Sequence, residues 1–388
     1  MKKLLKSGSV VIVLGAGGVG KTTIAAALGL AGAQAGHRTG VITVDPARRL
    51  RDALGMPRLG AKPTSIDPRR LRRAGLDPQL QFFAMMHDTK ATWDGLVERF
   101  VEAPEARKRI VENPFYCNLT RNFAGAENYA SVEQLYSLHE TGRLELEVVD
   151  TPPAVQAFAF IEAHEHLIRL LGSPSARFIG SWRNLKKPAG LNLMDRLARR
   201  IVAELEKFAG VQPLSAIADF FADAGDSLEA IVARMRSANA LLRSDAVSFV
   251  LVTTPESDRL QEAASIVRDL HARRLRLAAV VVNRVCDERF IAPELGRKRR
   301  DQTARYRRAI GELQSSPGSS GDPRSVTSLF DFLQEYVSQQ EAARARVAGF
   351  ISGLPGEVEK MLVPEMSSGA IGLEGLADIA RVIAKPRP

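Results

Sequence analysis

The residues with the most legible chemistry lie near the start of the chain. Gly15-Ala16-Gly17-Gly18-Val19-Gly20-Lys21-Thr22 follows an apolar run, Val10–Leu14, and opens an Ala/Leu-rich segment suited to a helix. Its spacing satisfies G-x-x-x-x-G-K-[ST]. Glycines let the backbone turn so that successive N–H groups face a phosphate, and a helix N-terminus adds a favourable dipole. In such a loop the lysine, Lys21, reaches the β- and γ-phosphates, and the hydroxyl of Thr22 ligates Mg²⁺. Gly15, Gly17 and Gly20 also spell G-x-G-x-x-G, the fingerprint of a dinucleotide fold. That fold has no use for a Lys-Thr pair here, and the acidic residue it needs about 20 positions on is only loosely met by Asp45. The spacing predicts a phosphate loop.

Two further carboxylates end apolar runs. Asp45 follows VITV and Asp150 follows LELEVV. In a parallel sheet the C-terminal ends of adjacent strands converge on the ligand crevice. An Asp there orients an attacking water, or holds Mg²⁺ directly or through water. The blander alternative is that each Asp caps the following helix, and a phosphate loop on the same edge favours the functional reading. His164-Glu165-His166 is a poorer metal candidate. Histidines at i and i+2 do not share a helical face, and the sequence offers no third ligand, so a surface helix is the expectation.

The elements that must position these residues follow from hydrophobic patterning. Val10–Leu14, Val41–Val44, Leu146–Val149, Val247–Val252 and Ala278–Val282 are short β-branched runs of the kind that form strands buried on both faces. Helix-length segments separate them. The expectation is an α/β fold with a doubly wound, mostly parallel sheet and helices on both faces. Two long intervals carry helical periodicity. In the first, Phe82, Met86, Trp93, Leu96, Val97 and Phe100 share one face. In the second, so do Met194, Leu197, Ile201, Leu205 and Phe208, then Leu228, Ile231, Met235 and Leu242. The chain thus reads as a single domain, 1–388, with insertions at about 75–135 and 155–243 forming a helical subdomain. A basic and flexible stretch, 297–325, comes next: seven Lys and Arg fall in the twelve residues Arg297–Arg308, and SSPGSSGDPRS follows. A long amphipathic helix, roughly Val326–Ser352, and a last helix through Ala377–Ile383 complete the chain.

Composition narrows the partners. Hydrophobic residues at 45% and charged residues at 25% exclude a disordered chain. A net charge of +10 favours nucleotide, nucleic acid or an anionic membrane surface. No nucleic-acid reading motif is present, and the basic run has only Tyr306 as a stacking ring, so nucleic acid is set aside and anionic membrane kept as a peripheral contact. Two cysteines, Cys117 and Cys286, exclude a disulfide scaffold. The N-terminal run leads straight into GVGKTT with no cleavage site, and no stretch reaches the roughly 18 apolar residues of a membrane span. A cytoplasmic protein is the expectation.

GAGGVGKTT, VDPARRLRDALG, VVDTPPA, LVTTPES and VVVNRV, in that order, resemble the ArsA-like ATPases, a family of arsenite-pump ATPases and ATPases that target tail-anchored membrane proteins. FFAMMHDTKATWDGLVERF, NPFYCNLTRNFAGAENYASVEQLY and VPEMSSGAIGLEGL look like its bacterial branch, and the resemblance runs from Val10 to about Ile383. It implies a P-loop ATPase using ATP and Mg²⁺, dimerising face to face around two nucleotides, with helical subdomains that open and close. It implies that Gly17, Gly18, Val19, Gly20, Lys21, Thr22 and Thr23 hold the phosphates. Asp45 would position or activate the hydrolytic water, and Asp150 would hold the Mg²⁺ shell with Thr22. Asn283 would read the adenine edge, with Pro364, Glu365 and Met366 packed on the base. Glu127 would face the partner's nucleotide.

The chain departs from the family pattern in three places. The family's loop begins G-K-G-G-V-G-K-T, whose first lysine reaches across the dimer; here that residue is Ala16, which removes a positive charge from the transition-state clamp. Either Arg48 or Arg49 substitutes, or a lysine-bearing paralogue completes a heterodimer, or hydrolysis is slow and the chain acts as an ATP-binding regulatory subunit. Arsenite needs a cluster of soft thiolates, which two cysteines 169 positions apart do not supply, so arsenite transport is not expected. The Cys-x-x-Cys of the eukaryotic targeting ATPases is missing, so a zinc-pinned dimer is not expected, whereas a nucleotide-driven one is. The client is expected to be hydrophobic, a membrane protein above all.

Overall fold

The computed structural model of the chain describes residues 4–44, 49–122, 124–152, 168–169, 171, 214–225, 227–286, 323–366 and 372–384. In chain order its elements are β1 (Ser9–Gly15), α1 (Lys21–Gln34), β2 (Thr39–Thr43), α2 (Arg49–Ala53), β3 (Thr64–Ser65), α3 (Pro68–Arg73), β4 (Phe82–Met86) and α4 (Thr89–Phe100). They continue with α5 (Pro104–Glu112), α6 (Pro114–Asn122), α7 (Ala124–Thr141), β5 (Leu146–Asp150), α8 (Leu214–Ala224) and α9 (Ser227–Leu242). The last are β6 (Val247–Thr253), α10 (Ser257–Ala272), β7 (Leu277–Val285), α11 (Pro323–Ser352), β8 (Glu359–Pro364) and α12 (Leu373–Ala384).

The sheet runs β3-β4-β2-β5-β1-β6-β7-β8. Every pairing is parallel except the short antiparallel β3–β4 contact. The expected doubly wound α/β architecture is therefore the one observed. Strand residues alternate between two cores, as the period of two requires. Val11 and Val13 of β1 join Leu146, Val148, Val250 and Val252 on the face covered by α1 and α12. Val10, Ile12 and Leu14 face the other way, with Ile42, Val149, Phe249 and Leu251, beneath residues of α7, α9 and α10. A strand sandwiched in this manner can be apolar at every position, so the five runs read from the sequence are all strands.

Three strands were not among those five. β3 is a two-residue exposed contact. In β8, Met361 and Val363 are buried but Leu362 is 48% exposed, because an edge strand with one open face need not be apolar throughout. β4 corrects a specific reading: Phe82 and Met86 lie on a strand paired with β2, not on the helix that carries Trp93 and Leu96. A five-residue apolar run fits either period. The helix starts at Thr89, where the Asp88 carboxylate accepts from the Ala91 N–H at 2.9 Å and caps it.

Helices α4 to α9 share a third hydrophobic cluster apart from the two sheet faces. Rings dominate it: Trp93 stacks at a tilt on Tyr129 with centroids 5.0 Å apart, and Phe115 meets Phe220 edge-on at 5.2 Å. The buried Trp93 indole is satisfied by the Ala126 carbonyl at 3.2 Å. Leu228, Ile231, Met235 and Leu242 are buried along α9 as their spacing predicts. The stripe Met194–Phe208, the His164–His166 pair and the basic run Arg297–Arg308 lie outside the described residues. No helix among the described residues is long and apolar enough to cross a membrane.

Candidate functional site

All the parallel strands end on one edge of the sheet, and at its centre β1 gives way to the glycine loop. Gly15 is required by crowding: a Cβ there would sit 2.3 Å from the Val252 carbonyl of the adjacent strand. Gly20 ends the loop at φ 92°, in the left-handed region that favours glycine. A side chain at Gly20 would also meet the Asn283 amide nitrogen, 2.4 Å from its Cβ position. Gly17 and Gly18 are exposed, with nothing within 4 Å of where a Cβ would be. The loop is thus pinned at both ends and open in the middle.

Gly20 is the N-cap of α1 and supplies no side chain to cap it, and the first turn carries no acidic residue. The first amide N–H groups of a helix have no partner within the helix, so this end suits an anion such as a phosphate. The Lys21 side chain turns back over the loop. Its Nζ donates to the Ala16 carbonyl at 2.8 Å, and the residue is only 8% exposed. Thr22 and Thr23 follow, half-buried, on the same turn. Ala16 is buried and adds no charge.

Asp150 ends β5, the strand hydrogen-bonded to β1 on one side and β2 on the other. It is 1% exposed. The Thr43 hydroxyl, in register on β2, donates to its Oδ2 at 3.1 Å. Thr151 anchors the next turn by donating to the Val13 carbonyl at 2.7 Å. Thr43 and Thr151 were not singled out from the sequence. The signal was there: a hydroxyl closing the β2 run, and another immediately after the acidic residue.

Asn283 lies on β7 and is buried. Its Nδ2 donates to the Val19 carbonyl at 2.9 Å, so in this structure the side chain braces the phosphate loop from behind. Pro364 pairs with Val285 at the end of β8, and the Glu365 N–H extends that ladder to the Val285 carbonyl at 2.9 Å. Met366 then packs, partly buried, on the core beside α1. Thus Gly17–Thr23, Asp150, Asn283 and Pro364–Met366 gather on one sheet edge from four separate stretches. Asp45 and Arg48 lie outside the described residues. Arg49 is exposed at the start of α2, and Glu127 is exposed on the first turn of α7.

The donors fit a nucleoside triphosphate with Mg²⁺: an open amide cradle, a buried lysine, a threonine hydroxyl and a buried carboxylate. They provide no thiolate set. Cys117 sits on α6 and donates to the Val111 carbonyl, whereas Cys286 follows β7. Among the described residues no three His, Cys, Asp or Glu are grouped to hold a metal ion.

Comparison with known proteins points the same way. A family model described as "Anion-transporting ATPase" matches residues 8–316. ATPase ARSA1 of Chlamydomonas reinhardtii is 25% identical over 79% of this chain and 38% of its own length. A homologue from Aquifex aeolicus, whose name makes it a candidate arsenical pump-driving ATPase, is 24% identical over 98% of this chain and 79% of its own. ATPase GET3B of Arabidopsis thaliana is 26% identical over 70% and 62%. Among the first such relatives the match spans 38–60% of their own length.

Proposed function

The chain belongs to the anion-transporting ATPase family, and from that premise we propose that it is a Mg²⁺-dependent ATPase that couples ATP binding and hydrolysis to the closing and opening of a dimer. The carrying observation is the glycine loop. It presents an open helix N-terminus, with Lys21 folded onto Ala16, beside the buried Asp150. The relatives named as ATPases support the reaction class.

In this reading the amides of Gly17–Thr23 bind the phosphates, and Lys21 stabilises the charge that develops as the terminal phosphoryl group departs. Thr22 and Asp150 would hold Mg²⁺, which when bound neutralises phosphate charge; Thr43 keeps Asp150 oriented toward that task. Asp45 orients the attacking water. Asn283 holds the loop while Pro364–Met366 flank the base. The helices α4–α9, with a hydrophobic cluster of their own, are the part that would respond to the nucleotide and meet a hydrophobic or membrane-protein client. Arsenite is not the substrate in this reading, because soft-ligand capture needs more thiolates than the two present.

Ala16 favours a second reading of the same site. With no cross-dimer lysine, the chain would bind ATP, turn it over slowly and pair with a lysine-bearing paralogue. Steady-state ATP hydrolysis by the purified chain with Mg²⁺, against Asp45→Asn as the blank, separates the two. Turnover clearly above the blank supports the self-sufficient ATPase. Nucleotide binding without turnover, and turnover gained by Ala16→Lys, supports the regulatory partner. No binding of ATP would overturn both.

A further inference from the structure

Half of the chain's formal charge is concentrated at one end of the sheet, in a segment that, Arg49 aside, the nucleotide reading does not use. Residues 49–80 contain eight Lys and Arg against three Asp, a net +5 of the total +10. They include the β3 edge and the short helix α3. Leu71, fully buried, fastens α3 to the core, and the Asp67 carboxylate caps it by accepting from the Arg69 N–H at 2.7 Å. At about 100° per residue, the buried Leu71 leaves Arg69, Arg70, Arg72 and Arg73 spread over the opposite arc, and all four are exposed. Arg70 donates to the Gly55 carbonyl, which ties α3 to the loop carrying Arg58.

The three carboxylates are committed elsewhere. Asp67 caps α3, Asp52 pairs with Arg51, and Asp77 accepts from the Gln79 N–H at 2.8 Å. Arg58, Lys62, Arg69, Arg72 and Arg73 form no ion pair among the described residues. These five cations, three of them on α3 and none ion-paired among the described residues, generate a positive potential that draws an anionic surface. Half-buried Leu59 and Leu76 leave apolar area next to them in the chain. Residues 49–80 contain no aromatic ring, so single-stranded bases find no stacking platform. At six residues, α3 spans about 9 Å, too short to lie along a groove and read base edges.

We propose that the α3 face docks on an anionic lipid surface. It is a different surface from the run at 297–308, and it does not depend on what the nucleotide site does. Flotation of the full chain with phosphatidylcholine vesicles, with and without phosphatidylserine, at about 0.15 M salt tests it. The wild type should float only with phosphatidylserine present. Arg69→Gln/Arg72→Gln/Arg73→Gln should lower partitioning on the order of a hundred-fold. Arg236→Gln/Arg268→Gln/Arg346→Gln removes the same charge from scattered exposed positions and should float like the wild type. Equal flotation of the α3 variant, or an equal loss in the scattered variant, overturns the proposal. So does a wild type that ignores vesicles but retains a duplex DNA or RNA through the α3 arginines. Thermal melts of both variants establish that each is folded.

Discussion

Glu147 is the second residue of β5, opposite Val10 on one side and Gly40 on the other, and is 1% exposed. It shares the sheet face of Val149, and neither carboxyl oxygen has a hydrogen-bond partner among the described residues. Burial disfavours its charged form and pushes its pKa up to about 8, against an ordinary 4.5. Between those values the folded chain keeps a proton that the unfolded chain has released. Stability from this group is therefore fully present below pH 4.5 and is lost as pH rises toward 8, by up to about 1.4 kcal/mol per pH unit. Urea unfolding across pH 5 to 8 should show this fall in the wild type and a flatter profile in Glu147→Gln. Parallel profiles would mean that the carboxyl finds a partner when folded. In the sequence LELEVVD, nothing distinguishes Glu147 from an outward-facing residue of an alternating strand. Only its place between two central strands makes it a buried acid.

Helices α7 and α9 each belong to two cores. Tyr129 and Ala130 pack in the helical cluster, whereas Val132 and Leu135, farther along α7, pack on the sheet. On α9, Val232 and Met235 belong to the first group and Ala238, Leu241 and Leu242 to the second. At the changeover sits an ion network whose centre, Arg234 and Glu133, is buried and whose outer members, Glu140 and Arg99, are exposed. Arg234 donates to Glu133 and, at 3.1 Å, to Glu140, which also accepts from Arg99 of α4 at 3.0 Å. The Tyr129 hydroxyl donates to the second oxygen of Glu133 at 3.1 Å, and the Arg234 guanidinium lies 4.8 Å from the Tyr136 ring centre. Removing Arg234 strands a carboxylate whose side chain is 4% exposed. Arg234→Ala should cost about 3–5 kcal/mol in urea unfolding, and adding Glu133→Leu should recover much of it. Strictly additive losses would show that the pair is not coupled. The apolar stripe of α9 was legible from its spacing; the arginine inside that stripe gave no sign that acids from another helix would meet it.

At the scale of the whole molecule, the fold brings the glycine loop to the sheet centre and leaves positive charge at one end. A ligand that binds only the folded chain stabilises it by mass action, by about 4 kcal/mol at a thousand times its dissociation constant. Melting with saturating ATP and Mg²⁺ should therefore raise the unfolding temperature of the wild type. Lys21→Ala should abolish the shift while leaving the ligand-free melt near the wild-type value. A shift that survives in Lys21→Ala would place the nucleotide elsewhere. The family's relatives are mostly longer than the matched region, so this test addresses the ATPase unit itself.

The glycine loop could be read without the structure because its residues are contiguous and its geometry is local. Left-handed turns demand glycine, and a helix start demands nothing from afar. The five central strands were legible for a related reason: burial on both faces keeps such runs almost wholly apolar, with Glu147 in β5 and Ser248 in β6 as buried polar interruptions. What the tertiary structure alone decided is non-local. The Thr43–Asp150 bond joins residues 107 positions apart, and the Asn283–Val19 bond spans 264. Edge strands β3 and β8 escaped notice because half-open faces relax the pattern, and β4 because five apolar residues fit either period until β2 pairs with them. Chain order sets which segments exist, but the sheet's strand order decides which of them share an edge, and no local preference encodes that order.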